Sequence, residues 1–327
     1  MVTAYPGCRA LIRKSLELRG TPKTAIEVCL ASITSSTIKQ YNTGLKLWYR
    51  YCQSRNESCF TASTPNVLEF LQEQYNRGVS YGTLNCYRSA VAQLLGPSLA
   101  EDVRVKRFFK GVFHLKPSLP KYDNTWDPSL VLNYLRSQIN ENISLEQLSY
   151  KLAMLLALVS AQRVQTLSLI ELKDIKISSL GVQIFIRDLI KTSAPNRTQP
   201  IISLPFYKDE EAVCVATTLL FYINSTRAIR NSACNKLLVT FKKPYHNAST
   251  QTISRWIRKV MVMAGIESTV YSSHSTRHAS TSLADRKGIS LDTIRLAAGW
   301  TEHSKTFAAF YKRPVCDSYA FARAILQ

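Results

Sequence analysis

Between residues 35 and 55, in SSTIKQYNTGLKLWYRYCQSR, apolar side chains recur at steps of three and four residues: Ile38, Tyr41, Leu45, Trp48 and Cys52. That spacing sets them on one stripe of a helix, with the opening serines suited to its N-cap. Lys39, Lys46 and Arg50 share another face of the same helix. A second helix is predicted from Thr64, with Pro65 in its first turn, to just before Gly78. Leu84, Tyr87, Val91 and Leu94 form the stripe of a third, with Arg88 off it. EDVRVKRFFKGVF predicts a fourth, in which Arg104, Lys106, Arg107 and Lys110 alternate with Val103, Val105, Phe108 and Phe109. Together these segments predict a small helical domain over 31–113 with basic residues on its outside. Residues 1–30 read as an N-terminal helical extension, interrupted at Gly20 and Pro22, whose role the pattern does not reveal.

Residues 114–126 hold two prolines and no periodicity, the mark of a linker, with the boundary near residue 120. A second domain, 127–327, then opens with Asp127 and Pro128 at a helix start. Ser144 and Gln147 form a capping-box pattern ahead of the apolar run LAMLLALVS, a core helix. From residue 173 to 205 the period shortens to two, in Ile175 and Ile177 and again in Val182, Ile184 and Ile186, predicting a small antiparallel sheet. Helices return over about 211–230 and 250–265. The expected class is mainly α with a small antiparallel β-sheet.

Composition narrows the partners. Lys plus Arg outnumber Asp plus Glu by 42 to 22, a net charge of +20. The bases are spread along the chain, which favours a polyanion, because neutralising phosphates releases condensed counterions. Nucleic acid is favoured over membrane: no strongly basic amphipathic helix or lipidation signal stands out, and no window is apolar enough to span a bilayer. The start lacks the apolar core of a signal peptide, so the expected location is the nucleus in a eukaryote and the cytoplasm otherwise. Eight scattered cysteines include no CxxC pair, so they read as reduced structural thiols; neither a metal site nor a cofactor is expected.

The segment YSSHSTRHASTSLADRKGISLDTIRLAAGWTEHSKTFAAFYKRP is the most specific part of the chain. It sets His274 and Arg277 in a His-x-x-Arg arrangement, then Gly299 with Trp300, then Tyr311. Upstream, Arg163 closes an apolar helix in LVSAQRVQTL and Lys191 stands in LIKTSAPN, in the sheet region. Five elements in this order resemble the signature of the tyrosine recombinases, the superfamily of Cre and lambda integrase. AQRVQTL, the KTS-then-Pro turn and AGW followed by TFAAFY look like the recombinases of DIRS-type retrotransposons and Cryptons. Two features depart from the pattern. Thr166 stands where the family commonly has an acid, and the interval from Trp300 to Tyr311 is slightly longer than in Cre.

The resemblance implies a helical core-binding domain and an α+β catalytic domain forming a C-shaped clamp on double-stranded DNA. It implies Tyr311 as nucleophile, Arg163 and Arg277 on the scissile phosphate, and His274 and Trp300 completing the pocket. Lys191 would be general acid to the leaving 5′-oxygen, with Arg187 its rival, and His278 would support. Those residue types suit the chemistry: guanidinium presents paired donors matched to phosphate oxygens, and a phenol can carry the broken strand as an ester. The expected DNA contacts are Lys39, Lys46, Arg50, Arg88, Arg104, Lys106, Arg107 and Lys110. The expected assembly is a tetramer on paired DNA sites and a monomer or weak dimer without DNA. Tyr319 competes with Tyr311, and Tyr319, Phe321, Ala324 and Ile325 fall near helical spacing in a tail that docks on its own domain or on a neighbour. The function expected is recombination or integration of a mobile element; a non-catalytic DNA-binding relic and a type IB topoisomerase-like relaxing enzyme are the alternatives.

Overall fold

Helices dominate the computed structural model, which describes residues 4–117 and 122–301 together with Tyr311 and Ile325. Contacts divide the chain into two units between Leu119 and Pro120. The first is helical: α1 (Cys8–Leu18), α2 (Lys23–Ala31), α3 (Ser35–Ser54), α4 (Thr64–Asn76), α5 (Tyr81–Leu95), α6 (Ser98–Glu101) and α7 (Val103–Leu115). The α3 stripe faces inward: Trp48 is fully buried, stacks on Tyr51 at 5.4 Å, meets the edge of Phe70 at 5.3 Å and donates from Nε1 to the Cys59 carbonyl at 3.1 Å. α3 and α5 cross closely at Gly44, where a Cβ would come within 2.7 Å of the Tyr87 ring.

Two boundaries differ from the sequence expectation. The helix predicted over 101–113 is α7 and starts two residues later, at Val103, because the Asp102 carboxylate accepts from Arg104 N at 2.8 Å and caps it; Glu101 instead closes α6. Residues 7–31 pack into the same core as α3–α7, with Leu11, Ile12, Ile26 and Leu30 buried in it. Ser15 Oγ on α1 also donates to the Leu94 carbonyl at 2.9 Å, satisfying the end of α5.

The second unit is built on α9 (Leu145–Ser160), capped by the Ser144–Gln147 box. Eleven of its sixteen residues are buried, so it is central rather than amphipathic. Around it lie α8 (Pro128–Arg136), α10 (Val164–Ser168), α11 (Val215–Thr226), α12 (Thr250–Met263), α13 (Ser275–Arg286) and α14 (Leu291–Ala298). The strands β1 (Ile175–Ile177), β2 (Gly181–Phe185) and β3 (Ile201–Pro205) form an antiparallel sheet in that order, with Ile175 opposite Ile184 and Val182 opposite Leu204. Val182, Ile184, Ile202 and Leu204 face the core. No described helix is long and apolar enough to cross a membrane.

Candidate active site

α9 ends at Ala161, held in the left-handed region at φ 49° and ψ 19°. The turn leaves the Ala161 carbonyl outside the helix and starts α10 from Arg163. Arg277, one turn into α13, takes up that carbonyl: Nη1 donates to Ala161 O at 2.5 Å and Nη2 to Ala298 O, at the end of α14, at 3.0 Å. Its side chain is almost completely buried, with the guanidinium carbon 5.0 Å from the Trp300 ring and 5.5 Å from the Tyr311 ring. Burial, then the like charge of Arg163, pulls its pKa down to about 10, partly offset by Tyr311. It therefore stays cationic at neutral pH. Among the described residues neither Arg163 nor Arg277 has a carboxylate at ion-pair distance. Thr166, at the family's acidic position, is buried. Two guanidiniums held near each other without an acid leave a field suited to an anion.

Gly299 ends α14 in the left-handed conformation, φ 67°, which only glycine adopts at little cost. The turn sends Trp300 inward, its backbone N–H donating to Arg295 O at 2.8 Å. Trp300 and Tyr311 are both buried, with ring centroids 4.7 Å apart. Tyr311 lies along one stripe of α13. Its hydroxyl is 3.0 Å from His274 Nε2, its ring stacks on His278 at 4.2 Å, and its carbonyl accepts from Ser282 Oγ at 2.6 Å. His274, His278 and Ser282 are spaced four apart, so they share a helix face.

The linker reading of 114–126 is corrected at both ends. α7 runs through Leu115, and Tyr122 and Trp126 are buried in the second unit. Their polar tips brace the start of α13: Trp126 Nε1 donates to Ser275 Oγ at 2.9 Å, Tyr122 OH pairs with Ser272 Oγ at 2.8 Å, and the Tyr122 ring meets His278 edge-on at 5.2 Å. Composition suggested a linker because prolines and polar residues surround two isolated aromatics; burial of those aromatics requires the whole fold. Replacing Trp126 by Phe is expected to destabilise the protein by about 2 kcal/mol, from the lost buried hydrogen bond and ring volume. Denaturant unfolding checks this, and a midpoint unchanged from wild type would rule the brace out.

Lys191 stands apart from this cluster. It is exposed in the β2–β3 connection and makes no hydrogen bond or ion pair among the described residues. Its rival Arg187 is engaged, 3.4 Å from Asp174 and over the Phe185 ring. The connection is nonetheless fastened toward the site, because Arg197 Nη2 donates to the Gly299 carbonyl at 3.0 Å. Asp188 at its start pairs with Lys236 at 2.8 Å.

The basic residues of the first unit divide into two groups. Lys39, Lys46, Arg50, Arg107 and Lys110 are exposed and lack ion pairs among the described residues. Arg104 pairs with Asp102 at 2.7 Å, Lys106 with Glu101 at 3.3 Å, and half-buried Arg88 lies over the Phe109 ring at 5.4 Å. The helical pattern shows which side of a helix is wet; it does not show which bases find acids or rings within the fold. Sequence reasoning also missed Ser282, Tyr122, Trp126, Arg197 and Gln162, whose buried side chain donates to Ala297 O at 2.6 Å. For Ser282 alone a signal was present, its spacing of four from His278. In the tail only Ile325 is described, helical and exposed; Cys316, Tyr319, Phe321 and Ala324 lie outside the described residues.

Residues 134–314, more than half of the chain, match the phage integrase family, and residues 31–96 match the phage integrase N-terminal SAM-like domain. No curated protein matches the chain significantly. Among solved structures, the XerH site-specific recombinase bound to a palindromic difH substrate, in a post-cleavage complex, superposes with TM-score 0.62 at 16% identity, over 97% of this chain and 95% of that one. The Tn1549 transposon integrase in complex with transposon right end DNA gives 0.58 at 15% identity, over 98% of each chain. A lambda integrase dimer bound to a COC′ core site gives 0.53 at 17% identity, over 92% of this chain and 75% of that one.

Proposed function

The chain belongs to the phage integrase family, and from that premise we propose that it cuts and rejoins double-stranded DNA through a covalent phosphotyrosine at Tyr311. The observation that carries the reading is the Tyr311 hydroxyl, 3.0 Å from His274 Nε2 and beside a buried arginine whose charge is repelled by a second. A phosphate between Arg163 and Arg277 replaces that repulsion with two charge-assisted contacts.

In the reaction the Tyr311 oxygen attacks phosphorus, the P–O5′ bond breaks, and a 3′-phosphotyrosine forms. His274, in the tautomer with a bare Nε2, is placed to take the phenolic proton, and Lys191 supplies a proton to the 5′-oxygen once its connection moves toward the bond. Arg163, Arg277 and Trp300 hold the phosphate oxygens, and His278 supports the tyrosine ring. One phosphoester is exchanged for another, so a second 5′-hydroxyl religates the strand without nucleotide hydrolysis. Both units would contact the duplex, with four protomers on paired sites and a monomer or weak dimer off DNA. The biological outcome would be recombination or integration of a mobile element of the DIRS or Crypton kind, in the nucleus of a eukaryotic host.

The test is trapping: a pool of nicked duplexes of random sequence, in which the short fragment carrying the freed 5′-hydroxyl diffuses away after cleavage, accumulates a protein–DNA adduct that survives denaturing gels. No adduct across the pool would overturn the reading. Duplex binding itself is expected to fall steeply with salt, because about six to ten phosphate contacts per protomer release counterions and remove on the order of 10³–10⁵ in affinity between 50 and 200 mM salt. A binding isotherm that is flat over that range counts against those contacts.

A further inference from the structure

The N-cap of α13 and two residues within it, at four-residue spacing, contact Tyr311, each at a different part of it. His274 meets the hydroxyl, His278 the ring, and Ser282 the backbone carbonyl. The first two hold the side chain. A side chain on a backbone that is free to slide would still deliver its oxygen poorly, because reactivity depends on sub-ångström placement of attacking atom against phosphorus. Ser282 supplies what the histidines do not. It is 2% exposed, its Oγ is 2.6 Å from the Tyr311 oxygen, and it lies two turns along the helix that carries Arg277. Arg277 in turn grips the carbonyls that close α9 and α14. The hydroxyl of Ser282 therefore ties the nucleophile's main chain to the frame that would hold the phosphate.

We propose that Ser282 is a positioning residue for Tyr311, fixing the main chain of the nucleophile of its own protomer so that the phenol meets phosphorus in register. The proposal rests on Tyr311 being the nucleophile, and it adds a requirement that neither the signature motif nor His278 contains. The hydroxyl donates and the Tyr311 carbonyl accepts, so the contact needs an O–H at residue 282. Alanine removes the donor with little loss of volume, and threonine keeps it.

The experiment is single-turnover adduct formation on the same pool of nicked random duplexes, at protein saturating for DNA, with duplex affinity and thermal unfolding measured in parallel. Wild type forming the adduct and Tyr311→Phe failing to form it together establish the underlying reading; a wild type without adduct, or an adduct that persists in Tyr311→Phe, sinks that reading and leaves Ser282 without a reaction to serve. Given a reactive wild type, Ser282→Ala is expected to slow adduct formation by roughly 10- to 100-fold, with duplex affinity within about twofold and cooperative unfolding retained. Ser282→Thr is expected to recover the rate to within about threefold of wild type. A Ser282→Ala rate within about twofold of wild type overturns the proposal. So does Ser282→Thr as slow as alanine, or a loss matched by an equal loss of DNA affinity.

Discussion

Replacing Tyr311 by phenylalanine is expected to abolish the covalent adduct while leaving duplex binding intact. The substitution removes one oxygen and keeps the ring, so the 4.2 Å stack on His278 and the 4.7 Å contact with Trp300 survive. What goes is the hydroxyl paired with His274 Nε2 at 3.0 Å. That bond costs stability of about 1 kcal/mol when lost, too little to unfold the unit, whereas no other atom at this place can form the ester. Adduct formation should fall by at least ~10⁴-fold, as when a covalent catalyst loses its nucleophile. Denaturing gels report the adduct, and mobility shift at moderate salt reports binding. An adduct that persists in Tyr311→Phe would move the nucleophile elsewhere, with Tyr319 the first to test.

Helices that bury one stripe or all of themselves were legible in the sequence. Trp48 and Leu45 announce the inner face of α3 by spacing alone, and the apolar run in α9 announces a central helix. The sheet was legible from the switch to period two. The site was legible only through the order of its motifs, since a histidine, a tryptophan or a tyrosine taken singly is more often core. Three things were not legible, each for a physical reason. The burial of Arg277, unlike its place in the motif, is hidden until the ends of α9 and α14 bring its guanidinium the carbonyls of Ala161 and Ala298. Tyr122 and Trp126 look like linker residues because the partners of their polar tips, Ser272 and Ser275, are about 150 positions away. Arg88 and Arg104 look like free phosphate contacts until the Phe109 ring and Asp102 are seen beside them.

The buried arginine yields a second large effect with a different signature. Arg277→Lys retains a positive charge, yet it is expected to lower adduct formation by about 10²–10³-fold, the scale of losing a pre-organised donor to developing charge. A lysine has one ammonium where the arginine has a planar fork, so it cannot serve Ala161 O, Ala298 O and a phosphate together. One buried carbonyl is left without its donor, at a cost of about 1–3 kcal/mol, so this variant, unlike Tyr311→Phe, should also melt earlier. The pH profile separates the two causes of lost rate. Burial and Arg163 already bring the arginine down to about 10. Lysine's ordinary pKa lies below arginine's, so the same burial and the same Arg163 charge would bring it to a value closer to neutrality. Deprotonation as pH rises through that value removes the charge on the phosphate. Residual activity of Arg277→Lys should therefore decline between pH 7 and 9, over which wild-type Arg277 stays mostly charged. A variant whose rate, melting and pH profile all match wild type would show that the buried guanidinium is neither the keystone of these three segments nor a ligand of the phosphate.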